Sequence, residues 1–200
     1  MTTEIRTDLS FTKKKNIFCI EGSWENDHRS QLSVSKALEF LECVEQVNII
    51  LKQCYNEETL KQLIDDSMQK KYDKYSVLYF AFHGVDGEIC VGKRNKTVSL
   101  DKIAEMIGDR ANGKIIHFGC CNTLSIGKRA INKFLKSTNA LAVSGYAKEI
   151  DFIRSTVYDL IYFQQCQEFK SIKSIQNKMK VYHNKLGNEL GFIIHRRAKK

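Results

Sequence analysis

Four short apolar runs limit the folds open to this chain. They are NIFCI (residues 16–20), YSVLYFAF (75–82), KIIHFGC (114–120) and ALAVSGY (140–146). YSVLYFAF is aromatic and β-branched without polar alternation, the pattern of a central strand buried on both faces. NIILKQCY (48–55) also reads as strand, and GFIIH (191–195) as a last short one. The segments between them have helical character. SVSKALEFLECVEQV (33–47) places Leu38, Leu41, Cys43 and Val44 near one face. In NEETLKQLIDDSMQKKY (56–72), Asn56 is set to cap a helix with Glu57 and Glu58 in its first turn. LDKIAEMIGDRANG (100–113) is a helix stopped by Asn112-Gly113, LSIGKRAINKFLKST (124–138) is another, and residues 153–186 are mostly helical. EICVG and KTVSL form a small hairpin around KRN (93–95). Alternating strand and helix predicts an α/β fold, a mostly parallel central sheet with helices on both faces. No proline, repeat or linker marks a boundary, so residues 1–200 read as one domain.

The sequence excludes several function classes. No segment approaches the ~18 consecutive apolar residues of a membrane span. The first twenty residues hold no apolar stretch of signal-peptide length, which predicts a cytoplasmic protein without membrane contact. The seven cysteines are an odd number with no disulfide framework and no CxxC pair. They read as free thiols, with no structural metal and no cofactor. Gly84, Gly87 and Gly92 do not make a dinucleotide fingerprint. From Lys170 onward nine bases meet a single acid, Glu189, so the chain ends in a basic helical tail. Such a tail can attract nucleic acid, but a solvated helix face with a frayed end is the plainer reading.

In parallel α/β sheets ligands bind outside the carboxyl ends of the strands. Two strand ends stand out. YSVLYFAF runs into His83-Gly84, and KIIHFGC into Cys120-Cys121-Asn122-Thr123. If the two strands are neighbours, an imidazole and a thiol meet at one sheet edge. A cysteine nucleophile needs a base within reach, and a nearby imidazolium favours the thiolate. The N–H groups of Gly84 and Cys121 are placed to form an oxyanion hole. His28, His117, His183 and His195 read more plainly: a polar loop residue, a strand histidine that packs or bonds a backbone carbonyl, and two residues of the basic tail. Cys90 falls on the outer hairpin.

This ordered set resembles the caspase-like fold of clan CD cysteine peptidases, and most of all stand-alone CHAT-type domains. Their Ala-Cys-x-Thr pattern corresponds to Cys120-Cys121-Asn122-Thr123, which makes Cys121 the nucleophile and Cys120 the small packed residue. Their glycine-containing strand followed by an aspartate is similar to ALAVSGYAKEIDF, ending at Asp151. The caspase Gln-Ala-Cys-x-Gly signature is absent, so cleavage after aspartate is not implied. The resemblance, covering roughly residues 15–165, implies a cysteine endopeptidase with a His83–Cys121 dyad acting on protein or peptide substrates. It also implies a bacterial defence or stress module, switched on by a protein partner or by cleavage. A catalytically silent adaptor of the same fold and a nucleic-acid-associated protein are the alternatives. Within that resemblance, the pocket for the residue before the cut bond would take its charge from Glu21, Asp151 and Glu149. This predicts cleavage after Arg or Lys, since a carboxylate pairs bidentately with a guanidinium.

Overall fold

A computed structural model describes residues 14–25, 27, 29–92 and 96–197. His28, the KRN turn, Lys199 and Lys200 lie outside the described residues. The chain runs β1 (Ile17–Glu21), α1 (Ser35–Glu45), β2 (Ile49–Gln53), α2 (Glu57–Ser67), a 3-10 turn (Lys70–Tyr72) and β3 (Val77–Ala81). The short strands β4 (Gly84–Val85), β5 (Glu88–Cys90) and β6 (Thr97–Ser99) follow, then α3 (Leu100–Ile107), β7 (Ile115–Phe118), α4 (Gly127–Thr138) and β8 (Ala142–Tyr146). Last come α5 (Phe152–Glu168), α6 (Ile172–Tyr182), α7 (Asn184–Leu190) and β9 (Phe192–Arg196). The six-stranded sheet has the order β2-β1-β3-β7-β8-β9; all its pairs are parallel except β8–β9.

Burial on both faces follows from the period-2 geometry of strands. In β1, Phe18 and Ile20 join the core beneath α2, α3 and α4, while Ile17 and Cys19 join the core beneath α1, α5 and α6. Asn56 caps α2 as its residue type predicts, accepting from Thr59 N at 2.8 Å. The buried face of α1 carries Leu38 and Leu41 but not Cys43 or Val44, which are exposed. Val34, Leu38 and Leu41 already fill the i, i+4, i+7 stripe, and Cys43 and Val44 turn away from it.

The C-terminal segment is part of the fold. Ile175, Met179 and Leu190 are buried, and β9 adds the sixth strand by pairing antiparallel with β8. The frayed, solvated end expected there does not describe residues 170–196. His117 packs inside its strand as expected, fully buried, but its hydrogen bonds go to side chains and not to a backbone carbonyl. It bonds two side chains, Ser144 Oγ and Asp159 Oδ1, each at 2.9 Å. Asp159 on α5 additionally accepts from the hydroxyls of Tyr79 and Tyr146, which locks the helix to β3, β7 and β8 from inside.

Candidate functional site

β3 and β7 are adjacent, in the register Phe80↔Phe118. Their carboxyl ends therefore deliver His83 and Cys121 to one edge of the sheet. Two bonds tie the strand ends together: Gly119 N donates to Phe80 O at 2.9 Å, and the Cys120 thiol to the same oxygen at 3.3 Å. Gly84 sits against the cysteine turn. A Cβ at this position would lie 2.3 Å from Cys121 O, 2.5 Å from Thr123 Oγ1 and 2.9 Å from Cys120 Cβ. No larger residue fits without moving that turn. Asn122 closes the turn with φ +51°, a left-handed geometry that Asn tolerates. Thr123 is buried and donates to Cys121 O at 3.1 Å.

The two cysteines differ sharply. Cys120 is buried, and desolvation pushes its thiol far above the ordinary range. Cys121 is half-buried, with its sulfur between two backbone groups of one residue: Ile150 N at 3.5 Å and Ile150 O at 3.7 Å. Asn122 N donates to Lys148 O at 3.0 Å, so the loop following β8 is laid along the cysteine turn.

His83 is exposed and held by a backbone carbonyl. Its Nε2 is 2.6 Å from Trp24 O. A carbonyl only accepts, so Nε2 is the donor in this contact, and in the neutral ring the lone pair is then on Nδ1. The Trp24 ring meets the imidazole edge-on at 5.2 Å and the Phe152 ring at 4.9 Å. The geometry also leaves two amides uncommitted. Cys90 N donates to His83 O at 2.8 Å, which makes Gly84–Ile89 a pair without mutual bonds, so the Gly84 N–H is not spent on β5. Among the described residues the Cys121 N–H takes part in none of the turn's backbone bonds.

The three pocket candidates separate. Glu21 is fully buried, and its carboxylate is filled by four donors. Oε1 accepts from Trp24 Nε1 and Val34 N, each at 2.7 Å; Oε2 accepts from Ser33 Oγ at 2.7 Å and Gln53 Nε2 at 2.6 Å. Its position in a substrate pocket is corrected here: it braces the β1–α1 loop and, through the indole, the tryptophan that holds His83. Asp151 is exposed and caps α5, its Oδ1 accepting from Arg154 N at 2.9 Å. Glu149 is exposed. These two acids flank Ile150, the residue touching the Cys121 sulfur. Cys90 is closer to the site than its place on a hairpin suggested. Its thiol is pushed up first by burial and then by the neighbouring Cys121.

A family model described as a family of unknown function (DUF6642) matches residues 14–196. The chain belongs to that family. No curated protein matches it. The DUF6642 match runs from before β1 through the end of β9, so both strand ends, the Trp24 loop and the C-terminal strand lie inside the family's extent. Among the described residues no helix is long and apolar enough to cross a membrane, and no cluster of His, Cys, Asp and Glu could hold a metal ion. All seven cysteines are free thiols.

Two parts of the site escaped the sequence. The Trp24 carbonyl is a backbone group, which any residue type supplies. The Glu21 brace needs four donors from positions 24, 33, 34 and 53, and no local spacing reveals it.

Proposed function

We propose that this protein is a caspase-like cysteine endopeptidase of the CHAT type, with Cys121 as nucleophile and His83 as base. The observation that carries the reading is the shared edge of β3 and β7, with the His83 ring held at Nε2 by Trp24 O and Nδ1 left free. In the proposed reaction Nδ1 takes the Cys121 thiol proton as the sulfur attacks the scissile carbonyl carbon. The oxygen of the tetrahedral intermediate receives the N–H groups of Gly84 and Cys121. The C–N bond then breaks, the imidazolium gives its proton to the departing amine, and water hydrolyses the remaining thioester with His83 again as base.

Asp151 and Glu149 support a preference for Arg or Lys before the cut bond. Both are exposed, and both are sequence neighbours of Ile150, whose backbone touches the Cys121 sulfur. A panel of fluorogenic peptides varying only that position tests this. Arg and Lys substrates are expected to be turned over fastest, and Asp151→Asn to reduce their kcat/KM more than that of an uncharged substrate. Preference for Asp or for large apolar residues contradicts the assignment. Hydrolysis of no peptide, together with stable binding of a protein by wild-type and Cys121→Ala chains alike, favours the silent adaptor.

A further inference from the structure

The opposite, amino edge of the sheet holds a second concave site. There the residues that lead into β1, β3 and β7 converge on an open cavity of about 680 Å³. Its lining includes Lys14, Lys15, Lys74, Arg110, Lys114 and Lys170 against one carboxylate, Asp73. Six cations against one acid leave a surplus of five charges in one cavity, on a chain whose whole net charge is +9.

Not all six are free. Arg110 pairs with Asp65 at 2.8 Å, and Lys14 lies 3.8 Å from a Glu45 oxygen. Among the described residues the other four take part in no ion pair. Lys74 and Lys170 are exposed. Lys114 is only 6% exposed, and its Nζ donates to Tyr75 O at 2.8 Å and Tyr72 O at 3.3 Å. Lys15 Nζ is held the same way, by Phe169 O at 3.1 Å and by Cys166 O. An ammonium has three N–H groups, so two carbonyls leave one on each lysine. Burial lowers the pKa of both, and the opposing pull of Asp73 on Lys114 and of Cys166 on Lys15 is the smaller effect. Gly113 at the rim has φ +81° and nothing within 4 Å of where a Cβ would stand, so the backbone there leaves room for a ligand.

We propose that this cavity binds a small molecule carrying several linked phosphates, through Lys15, Lys74, Lys114 and Lys170. The volume is that of a small-molecule site, which typically falls at about 300–1,000 Å³. Lys114 is buried and Lys15 half-buried, while Lys74 and Lys170 are exposed. A compact polyphosphate reaches both sets at once. The convex rod of a nucleic-acid duplex reaches only the surface pair. The site is independent of the His83–Cys121 edge and stands or falls without it.

The test is isothermal titration of sodium tripolyphosphate into the full chain at constant ionic strength. One saturable equivalent is expected, binding at least tenfold tighter than inorganic phosphate. The double variant Lys74→Glu/Lys170→Glu, two exposed positions whose change spares the core, should weaken it at least tenfold. His83→Ala should bind as the wild type does. Absence of saturable binding in the wild type, or equal binding in the double variant, overturns the proposal. So does a single-stranded oligonucleotide that binds more tightly than tripolyphosphate and loses its affinity in the same double variant.

Discussion

Replacing Glu21 separates a brace from a pocket wall. The two carboxylate oxygens face different kinds of donor. Oε1 receives an indole N–H and a backbone N–H, which can only donate; Oε2 receives a hydroxyl and a side-chain amide, which can reverse. Glu21→Gln can therefore place its carbonyl on Trp24 and Val34 and its NH2 toward Ser33 Oγ and a flipped Gln53. Each bond loses its charge assistance, about 1 kcal/mol apiece, but the chain no longer buries a charge, which itself costs several kcal/mol. The net change should stay within about 2 kcal/mol, or roughly 5 °C in Tm for a chain of this size. Glu21→Ala offers no such exchange. It strands the Val34 N–H and frees Trp24, and at about 1–3 kcal/mol per stranded group the loss should be about 2–5 kcal/mol. Urea denaturation of both variants, with peptide hydrolysis on the folded fraction, reads both effects. Folded Glu21→Gln should keep the wild-type preference among substrates. A Glu21→Gln chain of normal stability that loses Arg and Lys substrates selectively would return Glu21 to the pocket and refute the brace.

Gly84→Ala should cost about 1–3 kcal/mol of stability, as overpacking against a fixed backbone does, because its Cβ would stand 2.3 Å from Cys121 O. It should also slow peptide hydrolysis by about a hundredfold, the scale expected when a site is displaced by about an ångström; wild-type stability and rate together would show that the two loops are not in contact. Burial pushes the Cys54 thiol up to about 11 from an ordinary value of 9.0, so from pH 9 to 11 the unfolded thiol ionises while the folded one does not. Stability must then fall over that window, and Tm measured at pH 8 and pH 10 should drop less in Cys54→Ala than in the wild type; an identical drop would contradict the assigned cause.

The legible parts of the fold were those with redundant local signals. YSVLYFAF and KIIHF carry apolar residues on both faces of the strand, which marks them for burial on both sides, and they are neighbouring central strands. Asn56 announced its helix because a cap acts within three residues. The errors fall where one residue type serves two environments. Cys43 and Val44 are apolar but lie off the stripe that Leu38 and Leu41 define. Glu21 ends a strand at the carboxyl edge of the sheet, as a pocket acid would, yet its partners come from four separate positions. The basic cavity draws on residues from Lys14 to Lys170, and only the folded sheet brings them together. His117 looked like a packing residue because its partner Asp159 is 42 positions away on a helix.

Mass-spectrometric mapping of a peptidyl electrophile tests the central claim most directly. The probe, an Arg-terminated acyloxymethyl ketone, is applied at one concentration to the wild type, His83→Ala, Cys120→Ala and Cys121→Ala. The account predicts a single adduct on Cys121 in the wild type and in Cys120→Ala. It predicts none in Cys121→Ala, and near-complete loss in His83→Ala, since dyad members act as a unit. Exposed Cys43 serves as the internal control for chemical reactivity without catalysis. An adduct on Cys120, or labelling of Cys121 at the same rate with and without His83, would contradict it.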